Sequence, residues 1–213
     1  MELRDEIRAG KTIAIVPIGG TEQNGPHMAL GKHNARAKVL AERIAKALGN
    51  AIVAPVVSYV PEGTIDPPTE HMKYPGTITT AGDAFEKTLE SAARSFKAHG
   101  FRDVVFLGDH GGYLKHPRAV ANRLNREWAA TAARAHSIDE YYTAAGIKGH
   151  ADREDTSLTL ALVPGMVRAE RVGPAGADGV RGDAKGASVD EGQKIANLVV
   201  SRSVEAIRKA VRR

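Results

Sequence analysis

The sequence predicts an α/β sandwich built on a parallel, helix-covered sheet. Three observations carry this: a nearly continuous apolar run at residues 12–18, further apolar runs at 51–57 and 104–107, and segments of helical periodicity between them. A strand buried on both faces reads as an unbroken apolar run, and parallel strands need helical crossovers. At 213 residues the chain is expected to form one domain, long enough to bury roughly 70% of the surface its unfolded form exposes.

The first strand, Thr12 to Ile18, ends on Gly19-Gly20. From 35 to 48, Ala37, Leu40, Ala41, Ile44 and Leu48 keep helical spacing, and Gly49 stands where a left-handed residue closes a helix. A second strand follows at 51–57, with Pro55 marking its end or a bulge. Residues 61–80 hold Pro61, Pro67, Pro68 and Pro75 with Gly63 and Gly76. That stretch is too irregular for an element and long for a connection, so it is expected to wall or cover a site. A helix over 83–99 presents Phe85, Leu89, Ala92, Ala93 and Phe96 on one face and closes at Gly100; Val104 to Leu107 then form a third strand. A helix from Pro117 to Trp128, a weak strand at 134–138 and a short helix at 155–162 complete the alternation, the last N-capped by Asp155 or Thr156. The final helix opens on the capping pattern Ser188-Val189-Asp190-Glu191 and buries Val200, Val204, Ile207 and Val211.

Composition narrows the chemistry. The net charge is +5, but the basic residues are spread over the helices, which excludes a nucleic-acid surface as the working partner. Their densest cluster, Arg208, Lys209, Arg212 and Arg213, sits at a helix end where cations suit the dipole. No run approaches a membrane span, and the N-terminus lacks an apolar signal core. The cytoplasm is the expected compartment, with export after removal of a signal as the alternative. The absence of cysteine rules out thiolate nucleophiles and cysteine-bound zinc, leaving any metal to His, Asp and Glu.

Ligands of open α/β sheets bind outside the carboxyl ends of the strands. The first strand empties there into Gly19 to His27, and the third into Asp109-His110-Gly111-Gly112, both rich in glycine and metal-ligand residue types. A third polar cluster, Gly149 to Ser157, opens an apolar helical stretch. Each alone is also what an ordinary turn or helix cap looks like. No strand is followed by Gly-Lys-Ser/Thr, and Gly19-Gly20 lacks the spacing of a dinucleotide loop, so nucleotides are not expected.

Taken in order, the clusters resemble the creatininase family. Val16 to His27 is similar to its signature, in which Glu-Gln-His-Gly-Pro-His follows the first strand, with Asn24 in place of the first His. Tyr74 to Ile78 resembles its Phe-Pro-Gly-Thr-Ile, Asp109 to Gly112 its Gly-His-Gly-Gly, His150 to Ser157 its His-Ala-Gly-x-x-Glu-Thr-Ser, and Gly179 to Asp183 its Gly-Val-x-Gly-Asp. The resemblance implies a three-layer α/β/α domain, commonly a hexamer, with one or two divalent metals at the strand ends. Of the family's ligand positions, this chain keeps Glu22 and His110. It carries His33 for the bridging aspartate, Asn24 for the signature His and Gly112 for the last glutamate. An imidazole does not bridge two cations as a carboxylate does. The expectation is therefore one divalent ion, Zn²⁺ or alternatively Fe²⁺ or Mn²⁺, held by Glu22, His33 and His110.

His150 matches the family's proton shuttle and Asp155 the acid five positions later, here one methylene shorter. Asp155 is read as orienting His150, holding substrate or ligating the metal. Asn24, His27 and Asp109 are candidates for substrate contact or ligand support, with loop-fixing hydrogen bonds the alternative for His27. The implied activity is hydrolysis of a C–N bond in a small cyclic amide or related ring, on a small-molecule substrate. Two alternatives keep the fold. One is a ligand-binding member with a degenerate metal site, in which His33 and Asn24 only cap a helix; the other is ring opening of a lactone or cyclic sugar derivative.

Overall fold

The computed structural model describes residues 2–176 and 178–212; Arg213 of the basic cluster lies outside them. In chain order the elements are α1 (Glu2–Arg8), β1 (Ile13–Ile18), α2 (Lys32–Leu48), β2 (Ala51–Val53), α3 (Gly82–Ala98), β3 (Asp103–Gly108), α4 (Lys115–Glu127), β4 (Arg134–Ser137), α5 (Glu140–Thr143), α6 (Arg153–Leu162) and α7 (Val189–Val211). The strands form a wholly parallel sheet in the order β2-β1-β3-β4.

Successive side chains of a strand point to opposite faces, and both faces here are apolar. Ile13, Ile15, Val105 and Leu107 meet Leu40 and Ile44 of α2, Tyr141 of α5, Leu158 of α6, and Val199 and Ile207 of α7. On the other face Val16, Ile18, Val104 and Phe106 meet Phe85 and Leu89 of α3 and Val120 and Leu124 of α4. The result is the expected α/β/α sandwich. Each fully buried Leu, Ile or Phe in it contributes about 1.5–3 kcal/mol, so the core lies close under the strand ends and holds them rigidly.

Several boundaries differ from expectation, each for a local reason. β2 stops at Val53 rather than 57, because Pro55 has no N–H to continue the ladder; Val57 returns only as a single bridge to Ile18. α6 begins two residues early: its N-cap is Asp152, whose side chain accepts from the Asp155 N–H, instead of Asp155 or Thr156. α7 is capped as the pattern indicated, the Ser188 side chain accepting from Glu191 N–H. α1 and the four-residue α5 had no sequence signal. Among the described residues no helix is long and apolar enough to cross a membrane.

Candidate active site

From β1 the chain winds out to β2 on one side, then crosses to β3 on the other. The crevice outside the carboxyl ends of β1 and β3 is therefore the switch point where such sheets bind ligands. The Tyr113 hydroxyl ties the two ends together, donating to the Gly19 carbonyl at 2.7 Å and accepting from Asp109 N–H at 2.9 Å. Gly19 lets the first turn of α2 approach: a Cβ there would stand 2.1 Å from Asn34 Oδ1 and 2.8 Å from Asn34 Cα. That approach carries Lys32, His33 and Arg36 into the crevice.

The centre of the site is the fully buried Glu22. His33 Nε2 lies 2.8 Å from Glu22 Oε1 and His33 Nδ1 lies 2.7 Å from Asp109 Oδ2. Both ring nitrogens thus face carboxylate oxygens, and Arg36 Nη2 also lies 3.1 Å from Nδ1. Arg36 holds Asp109 Oδ2 through Nε at 2.9 Å and Asp155 Oδ1 through Nη1 at 2.6 Å. Lys32 Nζ bonds Asp155 Oδ2, which also accepts from Ala151 N–H at 2.9 Å. On the other side of Glu22, His110 Nε2 is 3.8 Å from Oε2, and His110 Nδ1 is 3.4 Å from Glu62 Oε2. His150 Nδ1 is 3.5 Å from Glu22 Oε1, its Nε2 donates to the Gln23 carbonyl at 2.8 Å, and its ring packs on His71 with centroids 3.8 Å apart. A cavity of about 490 Å³ opens on His33, Glu62, His71, His110, Tyr142 and His150, a volume that suits a small ligand.

Electrostatics follow from this packing. Burial works against the Glu22 charge, but His110, His33 and His150 outweigh it and hold the carboxyl well below the usual range. Burial and the neighbouring Glu22 charge push Glu62 up to about 9. Burial and Lys32 push His150 down to about 3, and burial brings His110 to about 4. Two adjacent carboxyl groups of which one keeps its proton form a pair that a cation would complete.

The structure gathers Glu22, His33, His110, His150, Asp109 and Asp155 around one crevice. Three placements differ from expectation. Asp155 lines the cavity but is not bonded to His150; its oxygens are held by Lys32, Arg36 and the Ala151 N–H. α2 is capped by neither His33 nor Asn24, its N-cap being Gly31 with no side-chain bond. Asn24 and His27 fix the signature loop: Asn24 Nδ2 donates to the Glu22 carbonyl at 2.7 Å, and His27 Nε2 is bonded to Thr156 Oγ1 at 3.0 Å. Sequence reasoning missed Glu62, His71, Lys32 and Arg36. The available signal for the first two was the irregular 61–80 segment, which does wall the site. For the others it was two basic residues flanking His33 on a predicted apolar helix.

A divalent ion fits these residues. With both carboxyls ionised, Glu22 Oε2 and Glu62 Oε1 are buried without a hydrogen-bond partner, as are His71 Nδ1 and His110 Nδ1; a proton on Glu62 bonds it to Glu22, and a cation can take that proton's place, since buried polar atoms are rarely left unpaired. Glu22, Glu62 and His110 each offer a ligand atom within 4.8 Å of the others, as do Glu22, His71 and His150. Four buried carboxylates, Glu22, Glu62, Asp109 and Asp155, face two buried cations, Lys32 and Arg36. The excess is two negative charges, which one divalent cation can neutralise.

The protein is thus a three-layer α/β/α sandwich with a buried carboxylate–histidine cluster at its switch point. The comparisons make this specific. A family model for creatininase, described as creatinine amidohydrolase, matches residues 1–207, and the chain belongs to that family. It is 28% identical over 217 residues to the mycofactocin precursor peptide peptidase of Mycolicibacterium smegmatis, covering 92% of this chain and 85% of that protein. It is 27% identical over 187 residues to the 3-dehydro-scyllo-inosose hydrolase of Thermotoga maritima, covering 79% of this chain but only 56% of the relative. A crystal structure of creatinine amidohydrolase superposes with a TM-score of 0.80 at 24% identity, covering 100% of this chain and 95% of the other. Other solved creatininases are described as a manganese form and a Zn-Zn form.

Proposed function

We propose that this chain is a metal-dependent hydrolase that cleaves the C–N bond of an amide in a small cyclic substrate. The observation that carries the reading is that buried Glu22, Glu62 and His110 bring ligand atoms within 4.8 Å of one another, with Glu62 and His110 lining the cavity. These three residues would hold the ion; two oxygens and one nitrogen suit Zn²⁺, with Mn²⁺ or Fe²⁺ as alternatives. When bound, it supplies Lewis acidity to a carbonyl oxygen and to water.

The chain's own residues do the rest. His33 fixes Glu22 through Nε2, and Asp109 and Arg36 fix His33, so the ligand carboxylate is oriented by a second layer of bonds. With its Nε2–H committed to the Gln23 carbonyl, His150 presents an Nδ1 lone pair. Held neutral by burial and Lys32, that nitrogen can accept a hydrogen bond from the attacking water and orient it toward the scissile amide. His71 packs on one face of the His150 ring and fixes its orientation.

A second reading, hydrolysis of a peptide amide, is supported by the M. smegmatis relative and by a neighbouring cavity of about 240 Å³. That cavity shares Glu70, His71 and Arg181 with the first, giving room for residues beside the scissile bond. By family resemblance a hexamer is proposed, readable by light scattering. The test is elemental analysis with a substrate panel of lactams, hydantoins, short peptides and lactones, run before and after chelation. About one divalent ion per chain and amide turnover lost on chelation are expected. Protein that contains no metal and gains none on reconstitution refutes the proposal.

A further inference from the structure

Lys32 has no part in holding substrate or ion, yet its side chain is fully buried. An ammonium carries three N–H donors, and here its ion-pair partner is Asp155 alone among the described residues. Burying such a charge is costly unless its surroundings are negative. The charge of Lys32 bears on His27, Glu62, His71, His110 and His150, so its field reaches both halves of the cluster from its place against Asp155. It also fixes structure. Asp155, held by Lys32, accepts the N–H of Ala151, and Ala151 sits in the left-handed region at φ 53 directly after His150. A non-glycine residue persists there only where its surroundings hold it.

We infer that Lys32 is a built-in cation of the centre: beside Asp155 its ammonium holds the positive charge that a second exchangeable ion would otherwise supply, so the cluster takes one divalent ion and no more. Four carboxylates against Lys32 and Arg36 leave room for one divalent charge; without Lys32 the excess grows to three. The inference rests on the one-ion reading above and adds what limits that number.

The experiment measures Zn²⁺ and Mn²⁺ stoichiometry and affinity, by equilibrium dialysis and elemental analysis, on the metal-stripped full chain. Wild type is compared with Lys32→Gln, Lys32→Arg, Asp155→Asn and the Lys32→Gln/Asp155→Asn double variant, each checked for folding by circular dichroism. Lys32→Gln is expected to take up a second ion or to bind the first at least ~tenfold more tightly, and Asp155→Asn at least ~tenfold more weakly. Lys32→Arg and the double variant should stay near wild type. A merely structural lysine would not give opposite signs to Lys32→Gln and Asp155→Asn. If Lys32→Gln does not fold, the double variant is compared with Asp155→Asn, which reads the removal of the Lys32 charge: at least ~tenfold tighter binding by the double variant is expected, and equal binding overturns the inference. Wild type binding one ion with Lys32→Gln and Asp155→Asn indistinguishable from it overturns this inference alone; wild type binding none overturns the one-ion reading with it.

Discussion

Replacing Arg36 by methionine separates buried from surface electrostatics. The guanidinium is almost wholly buried and bonds Asp109 at 2.9 Å and Asp155 at 2.6 Å. Methionine retains most of the volume, so the cavity contribution is small and the loss is electrostatic. Removing one partner of a buried ion pair costs about 3–5 kcal/mol because the remaining charge is left uncompensated. Each carboxylate keeps other partners, Lys32 and Ala151 N–H for Asp155, His33 and the Tyr141 hydroxyl at 2.9 Å for Asp109. The low end, about 3 kcal/mol, therefore applies. At roughly 2–4 °C per kcal/mol for a chain of this size, Tm should fall by about 6–12 °C. The assay is thermal unfolding followed by circular dichroism at pH 7. Lys38→Ala, which removes an exposed pair with Glu42, serves as the control and should move Tm by no more than about 2 °C. A drop below about 3 °C for Arg36→Met would refute the claim that Arg36 compensates two buried carboxylates.

Further outcomes follow from other contacts. Burial opposes the Asp155 charge, but Lys32 and Arg36 dominate and hold its carboxyl well below the usual value. A depressed folded-state value means stability present above the unfolded value of about 3.9 and lost as pH falls through the folded one. Tm should therefore decline below pH 4 more steeply in wild type than in Asp155→Asn; equal slopes would remove Asp155 as the cause. Gly19→Ala forces the first turn of α2 back from β1, so a loss of about 1–3 kcal/mol in urea unfolding is expected, together with weaker Zn²⁺ binding. Ser188→Ala removes the α7 cap and should cost about 1 kcal/mol, measured the same way, with Zn²⁺ binding unchanged.

Most of the fold was legible because its signals are local. The apolar runs of β1 and β3, the glycine after α2 and the serine before α7 each act within a few residues. β2 was overextended because an apolar run does not reveal whether a proline's missing N–H falls inside the ladder. The site was legible where its residues lie at strand ends, as with Glu22 and His110. It was illegible where an irregular segment folds back over the crevice. Glu62 and His71 are separated from Glu22 by 40 and more residues, and no periodicity links them. The turn before His71 has Glu70 at φ 46 and is pinned by Arg181 through a 2.5 Å bond to Glu70. That contact spans 111 residues, beyond any local signal.

The substitution of His33 also has a meaning in three dimensions that a ligand-by-ligand comparison lacks. Lys32, His33 and Arg36 all lie within the first five residues of α2, and residues three and four apart share a face. One helix end thus delivers two permanent cations and an imidazole into a pocket of carboxylates. The positive end of the helix dipole adds to the same field. Such a concentration of positive charge is sustained only because Glu22, Glu62, Asp109 and Asp155 converge on it from β1, the 61–80 segment, β3 and α6. On this view the chain has not simply lost ligands at Asn24, His33 and Gly112. On the proposed one-ion reading, Lys32 and Arg36 supply fixed positive charge against Asp155 and Asp109 where an exchangeable ion would otherwise stand.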